Sequence, residues 1–260
     1  MKRSLRHKSI IHAVSGRQEV SVVDLARLTG ASAVTIRRDL VELEAHGVLS
    51  RTHGGARQAF KRGSPLPFSV RLGSDQGSKA MLAEVAADLV QDGEAVIIDN
   101  GTTCFEVARQ LAGRPITALA LSLHAAAALA SQPGTYVTVP GGTVETDSLA
   151  MTAAGIDAVR DVRADVAIVG ACSASATHGL TSTTYEDVQL KRAILRSASR
   201  VVLVADASKL SRSSAFRFGG PEDITHLVTT PDAPDELLQM FRGEGVSVLL
   251  VQPDRRPDAS

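Results

Sequence analysis

Tryptophan is absent from this chain, and two tyrosines and six phenylalanines make up its whole aromatic content, 3% of 260 residues. Proteins that stack single-stranded bases need exposed aromatic platforms, so that mode of nucleic-acid recognition is excluded. Cysteine is almost absent too. Cys104 and Cys172 stand apart, with no Cys-x-x-Cys pair and no histidine at ligand spacing, which argues against a zinc site or a disulfide framework. Both adjoin apolar runs and are expected to be buried thiols of a reducing compartment. No apolar stretch suits a bilayer span: the most apolar, 116–130, is short and broken by Ser122 and His124. The charged amino terminus lacks the apolar segment of a signal peptide, so a cytoplasmic location without membrane association is expected. No residue pattern calls for a metal or a cofactor.

Net charge is missing as well, because 28 Lys/Arg offset 28 Asp/Glu. The cancellation conceals a split. Residues 1–62 hold 12 Lys/Arg against 5 Asp/Glu, a charge of +7, and the remainder holds 16 against 23, a charge of −7. A basic segment on an acidic body suggests one surface for a polyanion and another for a different task. Plain attraction between the two parts is the alternative.

The basic segment has its own pattern. Ser21 can cap a helix whose Val22, Leu25, Ala26 and Leu28 fall on one face, and Gly30 supplies a left-handed end. Ser32 caps a second helix with Ala33, Ile36, Leu40 and Leu43 near a 3.6 period. Its other face carries Thr35, Arg37 and Arg38. Gly47 stops that helix, and Val48 to Arg51 followed by Gly54-Gly55 suits a small β-wing. A helix with a buried stripe and a Ser/Thr/Arg outer face fits the major groove, where arginine binds guanine bidentately. Solvated arginines, with Arg38 paired to Glu42 four residues on, are the plainer alternative.

The run Thr35-Ile36-Arg37-Arg38-Asp39-Leu40, with Leu43-Glu44, Gly47 and Arg51-x-His53-Gly54-Gly55-Ala56, resembles the signature of DeoR-family transcriptional regulators. The resemblance implies operator contacts from Ser32, Thr35, Arg37 and Arg38, with Arg51 and His53 in the wing. Residues 1–58 are therefore expected to form a winged helix-turn-helix DNA-binding domain.

Residues 59–75, with Gly63, Ser64, Pro65, Pro67 and Gly73, are expected to be a linker. An α/β effector-binding domain is expected over 76–253, and a polar tail over 254–260. Apolar runs at 95–99, 116–121, 136–140, 166–170, 201–205, 227–230 and 246–251 alternate with helical patterns at 79–91, 103–111, 123–131, 184–198 and 234–242. Such an alternation predicts a mostly parallel sheet covered on both faces, with ligands beyond the carboxyl ends of its strands.

Three of those ends carry suggestive chemistry. Asp99-Asn100-Gly101-Thr102-Thr103 joins a Gly/Thr turn to a helix, a natural phosphate cradle. Gly141-Gly142 permits close backbone approach, and Asp206-Ala207-Ser208-Lys209 places a charged pair at a strand end. The plainer alternatives are a capped helix, a tight turn and a mutual surface pair. The same positions, with His178-Gly179-Leu180-Thr181 and Lys191-Arg192-Ala193, resemble the DeoR sensor domain, which is similar to ribose-5-phosphate isomerase. The resemblance implies an effector site drawing on Asp99, Gly101, Thr102, Thr103, Gly141, Gly142, Lys191, Asp206 and Lys209, and a phosphorylated sugar or related metabolite as ligand. Lys191 can instead be helix support, paired with Asp187.

Three departures from the family pattern leave the effector open. Ala120-Leu121 replaces a Thr-Asn pair, Glu145 stands near a usual arginine, and Cys172-Ser173-Ala174 replaces Gly-Ile-Asp. The expected function is a sequence-specific regulator, a repressor of carbohydrate genes, that binds double-stranded operator DNA as a homodimer or homotetramer. A sugar-phosphate isomerase with an accessory helix-turn-helix is the alternative, using Asp99, Glu186 or Lys191 as acid and base.

Overall fold

The structure, a computed structural model, describes residues 3–14, 19–45, 48–58, 68–210 and 212–251. Gly47 as a helix stop, Phe60, most of the expected linker and the tail lie outside the described residues. The chain divides into two compact units, Met1–Asp75 and Gln76–Ser260.

In the first unit α1 (Arg3–Val14), α2 (Val22–Thr29) and α3 (Ala33–Ala45) enclose a core of Ile10, Val14, Leu25, Ile36, Leu40 and Leu43. Ser21 caps α2 by accepting the Asp24 amide at 3.1 Å, and Gly30 ends it in the left-handed region at φ 66°. Ser32 Oγ accepts the Thr35 amide at 3.2 Å at the start of α3. One position departs from the periodicity of the sequence: Leu28 is exposed, and Thr29 is buried in its stead. Thr29 tolerates this because its hydroxyl donates to the Leu25 carbonyl at 2.7 Å.

Strands β1 (Val20–Ser21), β2 (Leu49–Arg51) and β3 (Gly55–Gln58) form an antiparallel sheet in the order β1-β3-β2. The wing is thus a hairpin with a third strand clamped to it. Gly55 pairs with Ser21 across that clamp, and a Cβ there would lie 2.0 Å from the Val20 carbonyl oxygen. Only glycine fits. Residues expected to be linker instead form a short helix, α4 (Phe68–Gly73), because Phe68 finds a buried place.

The second unit begins with α5 (Gln76–Asp88), three residues earlier than the sequence predicts. Then follow β4 (Ala95–Ile98), α6 (Thr102–Leu111), β5 (Thr117–Ala120), α7 (Leu123–Leu129) and β6 (Tyr136–Thr138). Next come α8 (Thr152–Asp161), β7 (Ala164–Gly170), β8 (Ser173–Ser175), β9 (Gly179–Ser182), α9 (Tyr185–Ser197) and β10 (Ala198–Val204). The unit closes with β11 (Phe216–Gly219), β12 (His226–Thr229), α10 (Asp235–Gly243) and β13 (Ser247–Leu250).

Seven strands build one parallel sheet, in the order β13-β12-β10-β7-β4-β5-β6. All seven correspond to apolar runs in the sequence. From β4 the chain winds outward through β5 and β6, then returns to the other side of β4 for β7, β10, β12 and β13. The reversal between β4 and β7 is a topological switch point, the place where sheets of this kind bind their ligands. Separate apolar clusters fill the two faces of the sheet. A small antiparallel sheet, order β11-β9-β8, adds to this frame, and neither it nor α8 is evident from the sequence pattern. Among the described residues no helix is long and apolar enough to cross a membrane.

Candidate functional site

Helix α3 presents two unlike faces. Ile36, Asp39, Leu40 and Leu43 are buried, while Val34, Arg37, Arg38 and Val41 face away from the core and are exposed. Asp39 belongs to the buried face because it is neutralised there. It accepts Arg6 Nε at 2.5 Å and Arg6 Nη2 at 3.1 Å, with His7 Nε2 at 3.1 Å. Burial alone would raise the Asp39 carboxyl, and the bonds from Arg6 and His7 outweigh it and hold the carboxyl below its ordinary value. The acidic residue of the Arg-Arg-Asp run therefore ties α3 to α1, leaving both arginines outward.

Neither Arg37 nor Arg38 makes an ion pair among the described residues, and Glu42, the alternative partner of Arg38, takes Arg3 instead. Ser32 and Thr35 share a hydroxyl contact at 2.9 Å that fixes the first turn. In the wing, Arg51 is anchored from behind. Glu44 accepts its amide at 2.9 Å and its Nε at 2.6 Å, and these bonds hold the Glu44 carboxyl below its ordinary value. His53 is exposed at the hairpin tip. The surface so formed has the shape, charge and donor groups to meet a duplex.

The second candidate lies at the switch point. Asp99 follows β4 and is fully buried, with its carboxylate accepting the Asn100 amide at 2.8 Å and the Gly170 amide at 3.0 Å. It thereby bridges the ends of β4 and β7. Lys191 of α9 is equally buried, donates to Asp99, and lies 3.7 Å from Asp187. Burial alone would lower the Lys191 ammonium pKa; the Asp187 and Asp99 carboxylates reverse that and push it up. Asp187 also accepts Asn100 Nδ2 at 3.0 Å and the Ser182 hydroxyl. Ser182 in turn contacts Cys172 Sγ at 3.3 Å, so one position of the departing Cys-Ser-Ala tripeptide touches this network.

Beside these charges Gly101 takes φ 115° at the head of α6, a conformation that side chains rarely adopt. The first-turn amides beyond it have no acceptor within the helix, and Thr102 and Thr103 stand among them. Backbone donors, two hydroxyls and a positive dipole end can hold an oxyanion.

The other expected residues lie apart. Gly141 and Gly142 follow β6, the outer strand on the β5 side. Asp206 follows β10, caps the turn Ala207–Lys209 by accepting the Ser208 amide at 2.9 Å, and makes no ion pair with Lys209. Among the described residues no hydrogen bond or ion pair joins these positions to Asp99 or Lys191. Glu145 accepts the Ser148 amide at 2.7 Å, so part of its carboxylate serves its own loop. Cys172 is half-buried rather than buried; Cys104 is buried, and burial pushes its thiol up, which makes it inert. Asn100, Ser182 and Asp187 are partners the sequence did not single out as a group, although the Asp187–Lys191 spacing was visible.

Comparison with known proteins covers nearly the whole chain. The family model of the DeoR-like helix-turn-helix domain matches residues 6–61, and that of the DeoR C terminal sensor domain matches residues 74–230. The glycerol-3-phosphate regulon repressor of Haemophilus influenzae is 30% identical over 96% of this chain and 98% of its own length. The HTH-type transcriptional repressor GlcR of Bacillus subtilis is 27% identical over 99% of this chain and all of its own. The transcriptional repressor AccR of Agrobacterium fabrum is 31% identical over 86% and 88%. Among solved structures, ribose 5-phosphate isomerase A from Methanocaldococcus jannaschii overlaps 53% of this chain and 55% of its own, with a TM-score of 0.39 and 21% identity. At that level the overlap carries no argument about activity.

Proposed function

This chain belongs to the DeoR family of transcriptional regulators, and from that premise we propose that it represses genes of carbohydrate metabolism and releases its operator when a phosphorylated sugar binds the second unit. The observation that carries this reading is the union, in one chain, of an outward basic α3 with a helix start at the sheet's switch point whose first-turn amides have no partner within the helix. Ser32, Thr35, Arg37, Arg38, Arg51 and His53 are the proposed DNA contacts. Gly101, Thr102 and Thr103 are proposed to hold the effector's anionic group, with Asp99 and Lys191 fixing the strand ends beside it, and Gly141, Gly142, Asp206 and Lys209 are proposed to meet the rest of the effector from the more distant ends of β6 and β10.

Release requires that the effector bind two arrangements with different affinity, and a homodimer or homotetramer provides the second arrangement. One recognition helix buries too little surface for operator-level affinity, which also favours an oligomer. The proposed site of action is the cytoplasm. Binding without turnover is favoured over an isomerase, since Asp99 is buried and its carboxylate is already engaged by Lys191 and two backbone amides.

Mobility-shift titration of the protein on its own promoter fragment, with and without a panel of sugar phosphates, tests the reading. Retardation in low salt and its reversal by one of the sugars are expected. Lys209→Ala is expected to abolish the reversal while leaving retardation intact. A protein that never retards the fragment, with or without sugars, would refute the proposal.

A further inference from the structure

Val34 is the second residue of α3 and the most exposed large hydrophobic side chain among the described residues, at 73%. Its position has no use in the fold, since the core face of α3 lies on the opposite side with Ile36, Leu40 and Leu43. Arg38 and Val41 follow it at intervals of four and three residues, so the three share the outermost line of the helix. The first turn beneath Val34 is fixed by the Ser32–Thr35 pair, and a β-branched side chain in a helix keeps one preferred rotamer. Two methyl groups are therefore held in a set place at the leading end of a helix whose Arg37 and Arg38 make no ion pair among the described residues.

Residues at the amino end of a recognition helix reach base edges, and the major groove displays a single apolar feature, the 5-methyl group of thymine. The charge of +7 on residues 1–62 selects a duplex, rather than a protein surface, as the partner of this face. We propose that Val34 reads a thymine methyl group in each operator half-site, a specificity contact that rests on the DNA-binding reading above.

Duplexes selected from a random library by the full-length protein supply the sites for a test. Each thymine of a selected site is replaced in turn by uracil, which removes the methyl group alone. Wild-type affinity is expected to fall about fourfold at one thymine per half-site, the worth of a buried methyl group. Val34→Ala is expected to lose about the same factor on the thymine duplex and to be indifferent to uracil at that position, while keeping wild-type responses elsewhere. Wild-type protein indifferent to uracil everywhere, or Val34→Ala retaining the full uracil profile, would overturn the assignment. So would a variant whose only change is its sedimentation behaviour, which would make this face a protein contact. Failure to select any site would instead strike at the DNA-binding reading itself.

Discussion

Lys191 and Asp99 are the two residues on which the second unit is most tightly balanced. Each is an ion almost wholly removed from water, and each is tolerable only because the other is present. Replacing Lys191 with methionine keeps much of the volume but strands the Asp99 carboxylate. Lys191→Met is therefore expected to destabilise the protein by about 3–5 kcal/mol in urea unfolding. Adding Asp99→Asn to that variant should restore a good part of the loss. A single variant within about 0.5 kcal/mol of wild type, the range of an ordinary surface change, would show that the pair does not hold the site together. The pairing was not legible in the sequence, because the partners are 92 residues apart and nothing local signals their meeting. Only the i,i+4 link from Asp187 was, and it is the longer of the two contacts.

Among the elements, the seven parallel strands were legible because each reads as a short apolar run: the five inner strands are largely buried on both faces, while the edge strands β6 and β13 stay partly exposed. Helix α8 was not. It contains Gly155, normally a poor helix residue, where a Cβ would meet Leu190 at 3.1 Å and Leu121 at 3.3 Å; close packing, which no periodicity reveals, accounts for it. The β8-β9-β11 sheet escaped notice for another reason. Its short strands are joined partly by hydroxyls, with Ser173 meeting Thr181 at 2.9 Å and Ser214 at 2.7 Å, so apolar alternation is weak.

The junction of α1 with α3 depends on Asp39, and its carboxyl titrates lower in the folded protein than in the unfolded chain. Such a group adds stability at pH values above its unfolded value, about 3.9, and loses that contribution as pH falls through the folded value. Asp39→Asn is thus expected to cost about 1.5–3 kcal/mol at neutral pH. The gap to wild type should narrow as pH falls below about 3.9 and close once pH has passed through the lower folded value. Urea titrations followed through the helical signal at both pH values measure it, and a gap that stays constant would rule out the ion pair as its source.

At the scale of the whole molecule, the sequence puts a charge of +7 on residues 1–62 and −7 on the remainder, which suits the first portion to a polyanion. If roughly three to five phosphates are neutralised per chain, log affinity should fall against log salt with a slope of about −2.7 to −4.5 per bound chain. Fluorescence anisotropy over a series of salt concentrations gives that slope, and a flat line would mean that backbone phosphates are not what the first unit meets. Strand β1 has a bearing on the same encounter. By crossing the wing so closely that Gly55 leaves no room for a methyl group, it makes the hairpin a stiff lever and not a hinge. A lever of fixed angle does not mould itself to its target. Duplexes already shaped to it, or cheaply bent that way, will be favoured even at base pairs that no side chain touches.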